Sequence, residues 1–170
     1  MDLKKYIYDV HNFPIEGVTF KDITPLLNDA QAFKYTVDQM VEYVKEKKAN
    51  VIVAPEARGF LFASAVAYAA NCRFVLVRKP GKLPREVKDV EYELEYGKGH
   101  IQIHVGDLKE NDNVVIVDDV LATGGTMKAI VDLVQQEKAN LNGIIFLADL
   151  SFLHDSELFK EFDSKSLLTY

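Results

Sequence analysis

Val114-Val115-Ile116-Val117-Asp118-Asp119-Val120-Leu121-Ala122-Thr123-Gly124-Gly125-Thr126 is the stretch from which the fold can be read. The run Val114 to Val117 is β-branched and apolar throughout, the pattern of a strand buried on both faces of a parallel sheet. Two carboxylates stand where that strand is expected to end. A loop of small residues follows, and from Met127 to Gln136 apolar residues recur at helical spacing. A strand, an acidic pair, a glycine loop and a helix together make a phosphate site. Glycine lets the backbone approach the ligand, successive N–H groups point inward, and a helix N-terminus favours negative charge. Carboxylates beside a phosphate repel it unless they bind something attached to it. A ribose meets that need, since its hydroxyls can donate to Asp118 and Asp119 while its 5′-phosphate sits in the loop. The plain alternative is a strand-to-helix turn with a capping threonine and solvated acids.

Working outward, the neighbouring segments repeat the strand–helix alternation. Gln31 to Lys47 places Phe33, Val37, Met40, Val41 and Val44 on one side of a helix, and Asp2 to Val10 suggests a short amphipathic helix. Val51 to Ala54 reads as a buried strand, followed by a turn at Pro55 to Gly59 and an apolar helix to about Ala70. Phe74 to Val77 and Ile144 to Ala148 read as further strands. The expected fold class is therefore α/β, a mostly parallel central sheet flanked by helices, with ligands beyond the strand C-terminal ends. The segment from Arg78 to Val105 departs from this pattern. A basic, turn-rich loop (Arg78 to Arg85) precedes two alternating runs, Glu91 to Tyr96 and His100 to Val105, which read as a β-hairpin placed as a lid. A solvated surface hairpin is the alternative. His100 and His104 share one face of the second run, but two histidines with no third ligand nearby make a poor metal site.

Composition fits one domain spanning residues 1–170, with 48% hydrophobic residues. Twenty basic and 26 acidic side chains leave a net charge of −6, which argues against broad attraction to nucleic acid or membrane. Cys72 is the single cysteine, so neither an intramolecular disulfide nor a cysteine metal cluster can form. No apolar run is long enough to span a bilayer, and the cytoplasm is the expected compartment.

The strand–acidic pair–glycine loop closely resembles the signature of the type I phosphoribosyltransferases. Three further segments, with a fourth near the N-terminus, narrow the resemblance to the adenine-specific branch. Asn12 to Leu27 (Asn-Phe-Pro-Ile-Glu-Gly-Val-Thr-Phe-Lys-Asp-Ile-Thr-Pro-Leu-Leu) is similar to its base-binding segment, and Glu56-Ala57-Arg58-Gly59-Phe60 to its pyrophosphate loop. Arg78 to Pro84 is similar to its basic loop, and Tyr92 to Lys98 to its catalytic lid. The resemblance implies a type I phosphoribosyltransferase fold with a small N-terminal base-binding hood and a β-hairpin lid. It implies transfer of the phosphoribosyl group of 5-phosphoribosyl 1-diphosphate (PRPP) to N9 of adenine, giving AMP and pyrophosphate. Mg²⁺ would arrive with the substrate rather than in a dedicated protein cage, and the assembly would be a homodimer.

The same resemblance distributes roles. Ala122, Thr123, Gly124, Gly125 and Thr126 would hold the 5′-phosphate, and Asp118 and Asp119 the ribose. Arg58, Gly59, Arg78 and Lys82 would meet the pyrophosphate, with Arg58 and Lys82 also counted as catalytic. Adenine would lie between Phe20 and Val120, near Arg58, its edge read by backbone groups around Thr19 and Lys21. Glu95 would transfer a proton on the purine and Tyr96 would help to shape the closed lid. A non-proline cis peptide is expected at Glu56-Ala57. Val120 stands where the family more often has leucine, and Pro80 where a basic residue is expected. A noncatalytic PRPP sensor built on this fold is a second reading, but no basic helical module accompanies the signature here. A transferase for another purine is a third.

Overall fold

The computed structural model of the protein describes residues 1–94 and 96–170. Its centre is a five-stranded parallel sheet made by β3 (Val51–Pro55), β4 (Arg73–Val77), β7 (Asn113–Leu121), β8 (Asn140–Asp149) and β9 (Ser164–Thr169). The strands lie in the order β4-β3-β7-β8-β9. All five residues of β3 are buried, as expected of a strand covered on both faces. After a short α1 (Thr24–Leu27), helix α2 (Ala30–Glu46) starts where Asp29 accepts hydrogen bonds from the N–H groups of Gln31 (3.0 Å) and Ala32 (2.8 Å). It buries Val37, Met40, Val41 and Val44 on one stripe.

The two faces of the sheet are covered differently. On one side α2 and α3 (Gly59–Ala70) pack with Ile52, Ala54, Val115, Val117, Ile145 and Leu147. On the other, α4 (Gly125–Gln136) packs with Val51, Val53, Ile116, Ile144 and Phe146. Alternate residues of each strand thus serve opposite cores, and each large aliphatic group contributes about 1.5–3 kcal/mol on full burial. The β5 (Val87–Glu93) and β6 (Lys98–His104) hairpin joins the α4 side, where Val90, Ile101 and Ile103 are buried. Its root is therefore part of the core, and its tip lies beyond it.

Near the N-terminus, β1 (Tyr8–His11) and β2 (Thr19–Asp22) form an antiparallel pair. This corrects the expected helix over Asp2 to Val10: only Leu3–Tyr6 turn, as a 3₁₀ segment, before the chain extends. Leu3 and Ile7 are both buried and four apart, which imitates a helical period. A second correction concerns β7, which does not stop at Val117 but continues through both aspartates to Leu121. In the hairpin the first strand ends at Glu93, short of the expected Tyr96.

From β3 the chain passes through α3 to β4 on one side, and from β7 through α4 to β8 on the other. The loops after β3 and β7 therefore diverge at adjacent strand ends, the point where open α/β sheets bind ligands.

Candidate active site

A cleft of about 250 Å³ opens at that point. Pro55 to Arg58 form one wall, and Asp118 to Met127 form the other. The small-residue loop, expected to take a phosphate, thus faces the loop that carries Arg58. Gly124 adopts a φ of +86°, a left-handed conformation that glycine takes without a Cβ clash, and caps α4. The side chain of Leu158 occupies the space that a side chain at position 124 would need. Gly59 is close-fitting for a different reason: a Cβ there would stand 2.7 Å from Asp118 Oδ1.

The acidic pair is not solvated. Asp119 is buried, and its Oδ2 lies 2.8 Å from Arg58 Nε. That separation is an ion pair without hydrogen-bond alignment: Asp119 Oδ2 and Arg58 Nη1 are both buried and, among the described residues, have no hydrogen-bond partner. Buried polar atoms left in this way suit a ligand that brings donors and acceptors. Asp118 Oδ1 accepts the Asp119 N–H at 2.8 Å. Burial pushes the Asp118 carboxyl well above the usual carboxylate range, and the neighbouring Asp119 charge raises it further. The pair is thus one carboxylate matched to an arginine and one whose surroundings disfavour its charged form.

Arg58 links this pair to the hood. Its guanidinium sits 4.7 Å from the centre of the Phe20 ring, and Phe13 meets the other aromatic edge-on at 5.1 Å. Thr19 and Lys21 flank Phe20 on β2 and pair with His11 and Asp9. In this two-stranded ribbon one backbone edge of β2 has no ladder partner among the described residues, the kind of edge a purine can read. The Lys21 side chain does not face the cleft: it is buried, with Nζ 2.6 Å from Asp9 and 3.8 Å from the Tyr170 ring centre. Val120 lines the cleft, half-buried.

Arg78 and Lys82 lie beside the cleft rather than in its wall. A smaller adjoining cavity is lined by Pro55, Glu56, Arg78, Tyr92 and Thr126, among others. Lys82 Nζ is 2.6 Å from Glu56 Oε2, and Arg78 Nε is 3.4 Å from Glu56 Oε1. The Glu56–Ala57 peptide is cis, as expected. The lid reaches the phosphate loop through Tyr92, whose hydroxyl is 3.3 Å from Thr126 Oγ1. Tyr96 is 88% exposed at the hairpin tip, and the expected proton-transfer residue, Glu95, lies outside the described residues. Glu56 and Tyr92 have no role in the sequence reading. Both act on partners more than 20 positions away, so periodicity carries no trace of them; the place of Glu56 in the Arg58 loop and of Tyr92 in the lid segment are the hints.

His100 and His104 point to local partners, not to a common ion. His100 Nδ1 is 2.7 Å from Asp89, and His104 Nδ1 is 2.9 Å from Arg85. Among the described residues no three His, Cys, Asp or Glu side chains converge to hold a metal.

The phosphoribosyl transferase domain family matches residues 25–167. Over all 170 residues the chain is 65% identical to an adenine phosphoribosyltransferase of Mycoplasma mycoides subsp. mycoides SC, and the match covers both proteins completely. The chain belongs to the adenine phosphoribosyltransferase family. A crystal structure of the Thermoanaerobacter pseudethanolicus member superposes with a TM-score of 0.95 at 45% identity, covering 99% of this chain and 98% of that one. The Saccharomyces cerevisiae member, 36% identical, superposes at 0.88 over 98% of this chain and 96% of its own. It was crystallised with adenine and an imino-altritol bisphosphate. Membership of the family accounts for the parallel sheet, the helices on both faces and the antiparallel hairpins.

Proposed function

We propose that this chain transfers the 5-phosphoribosyl group of PRPP to N9 of adenine, releasing pyrophosphate and AMP. The observation that carries this is the convergence on one cleft of a glycine phosphate loop, a buried acidic pair and an arginine that bridges to an aromatic ring. In the reaction the bond from ribose C1 to the pyrophosphate oxygen breaks, and a bond from C1 to N9 forms. The 5′-phosphate rests on the Ala122–Thr126 backbone, and the ribose hydroxyls donate to Asp118 and Asp119. Arg58 leaves the Phe20 face to adenine, which then lies between Phe20 and Val120 with its edge on backbone groups near Thr19 and Lys21. One N–H and one C=O match the N1 acceptor and 6-amino donor of adenine. A 6-oxo purine reverses that pattern and leaves buried groups unpaired.

Arg58, Arg78, Lys82 and N–H groups near Gly59 meet the pyrophosphate and stabilise its departing charge. Glu95 moves the proton on the purine ring, a role supported by the Leu94-Glu95-Tyr96-Gly97 motif alone, and Tyr96 closes over it. The oxygens of PRPP are donors of the hard kind that Mg²⁺ accepts, so the metal would come in with the substrate. Bound with the diphosphate, Mg²⁺ supplies charge neutralisation.

Turnover with PRPP and each of adenine, hypoxanthine, guanine and xanthine tests this reading, run on wild type and on Glu95→Gln. Adenine alone should be used, and the variant should lose roughly 10²–10⁴-fold in turnover. Preference for a 6-oxo purine would contradict the substrate, and a fully active Glu95→Gln would remove the proton-transfer role.

Among the described residues no helix is long and apolar enough to cross a membrane. The protein acts as a homodimer, a reading supported by Leu61 and Tyr68, which α3 exposes at 45% and 89% although the helix is apolar on most sides. Light scattering should give twice the 19.2 kDa chain mass, and a monomer would contradict it.

A further inference from the structure

Glu56 takes no part in the chemistry above, yet its side chain is only 8% exposed where the cleft and the adjoining cavity meet. Its carboxylate gathers the basic loop. Oε1 accepts the Lys79 N–H at 2.6 Å and stands 3.4 Å from Arg78 Nε, and Oε2 accepts from Lys82 Nζ at 2.6 Å. Burial pushes the Glu56 carboxyl up, but hydrogen bonds from Lys82 and the Lys79 amide outweigh it and hold the group below the usual carboxylate range. It is therefore an anion surrounded by the groups proposed to receive pyrophosphate.

The loop needs such an anchor. Lys79 to Lys82 are exposed, and Gly81 sits at φ +81° with nothing among the described residues near the position of a side chain. Two cations drawn together at the cleft repel each other, and without a shared counter-charge each gains hydration by turning into water. The two carboxylate oxygens differ in what they hold. Oε1 fixes a backbone N–H, which a ligand need not displace. Oε2 holds the head of Lys82, whose side chain is 47% exposed and free to turn on its flexible stem.

We infer that Glu56 is a positioning residue that stands in for the pyrophosphate charge in the free protein. It keeps Arg78 and Lys82 at the cleft, passes Lys82 to the incoming diphosphate and retains the Lys79 amide throughout. This rests on the reading of the basic loop as the pyrophosphate site. Preorganisation of this sort lowers the ordering cost of binding, so its loss weakens the diphosphate rather than the base.

Calorimetric titration of wild type, Glu56→Gln and Glu56→Ala with pyrophosphate in the presence of Mg²⁺ tests the inference, together with steady-state kinetics. Gln keeps the size and the acceptor for the Lys79 amide but loses the charge; Ala loses both. The expected result for Ala is weaker pyrophosphate binding and a raised KM for PRPP, each by about tenfold to a hundredfold, the worth of a charge-assisted contact. Gln should fall between Ala and wild type, and KM for adenine should stay put. Equal or tighter pyrophosphate binding by both variants would overturn the inference, as would parallel losses for adenine and PRPP, which signal general loosening. If Ala does not fold, Gln decides alone by the same measures. Failure of the wild type itself to bind pyrophosphate would instead remove the site reading, and this inference with it.

Discussion

Asp118 and Asp119 show how one pair of identical side chains is divided by surroundings. Asp119 has Arg58 as its counter-charge, whereas Asp118 is held well above the usual carboxylate range by burial first and by Asp119 second. This has a consequence for stability. In the unfolded chain Asp118 titrates near the ordinary 3.8, and in the folded protein it titrates higher. Between the two values the folded state keeps a proton that the unfolded state has lost, so stability falls as pH rises through that window. Asparagine has no such proton and can still accept the Asp119 N–H. Asp118→Asn should therefore melt higher than wild type once the pH exceeds the raised value, with the advantage vanishing in acid. Thermal melts across pH measure this, and a difference independent of pH would contradict it. The pair, the glycine loop and Arg58 were legible in the sequence because their motifs are local. The upward shift of the Asp118 carboxyl was not, since it depends on what the fold packs around that residue. Glu56 stayed hidden likewise, because its cations come from another loop.

Elements were legible where one period governs them. Strands β3, β4 and β8 and helices α2 and α3 follow from uninterrupted apolar runs or a clear 3.6-residue stripe. The misreadings fall where tertiary pairing decides. β1 is a strand only because β2 lies beside it, and β9, with the sequence Ser-Lys-Ser-Leu-Leu-Thr, carries too little apolar pattern to announce itself as the edge of a parallel sheet. These two late-recognised elements meet. Tyr170 follows β9, donates its N–H to the Asp149 carbonyl at 2.9 Å, and places its ring under Lys21 Nζ. Asp9 of β1 holds the same ammonium at 2.6 Å. The end of the central sheet thus braces β2, the strand proposed to read adenine. A partly desolvated cation–ring contact contributes about 0.5–2 kcal/mol. Tyr170→Ala should therefore raise KM for adenine several-fold and leave KM for PRPP near the wild-type value. Steady-state kinetics with each substrate varied would show it; equal changes in both would mean that the brace supports the whole fold.

Across the whole molecule, division of labour follows from strand order. Because the connections from β3 and β7 leave in opposite directions, their loops part at adjacent strand ends and make room for a ligand. The hood meets this cleft through Phe20 and Arg58, and the hairpin meets it through Tyr92 and Thr126. The proposed base, sugar and phosphate sites thereby meet at one cleft, the base on the hood and the sugar and phosphate on the connection from β7 to α4. Strand order and the shared cleft emerge only from long-range pairing, while the α/β class was already evident from the alternation of periods. A crystal structure with AMP examines all three sites at once. The phosphate should lie on the Ala122–Thr126 loop, the ribose hydroxyls on Asp118 and Asp119, and adenine against Phe20 with the Arg58 guanidinium moved off that ring. AMP bound with its phosphate elsewhere, or with adenine away from the hood while Arg58 still covers Phe20, would contradict the site described here.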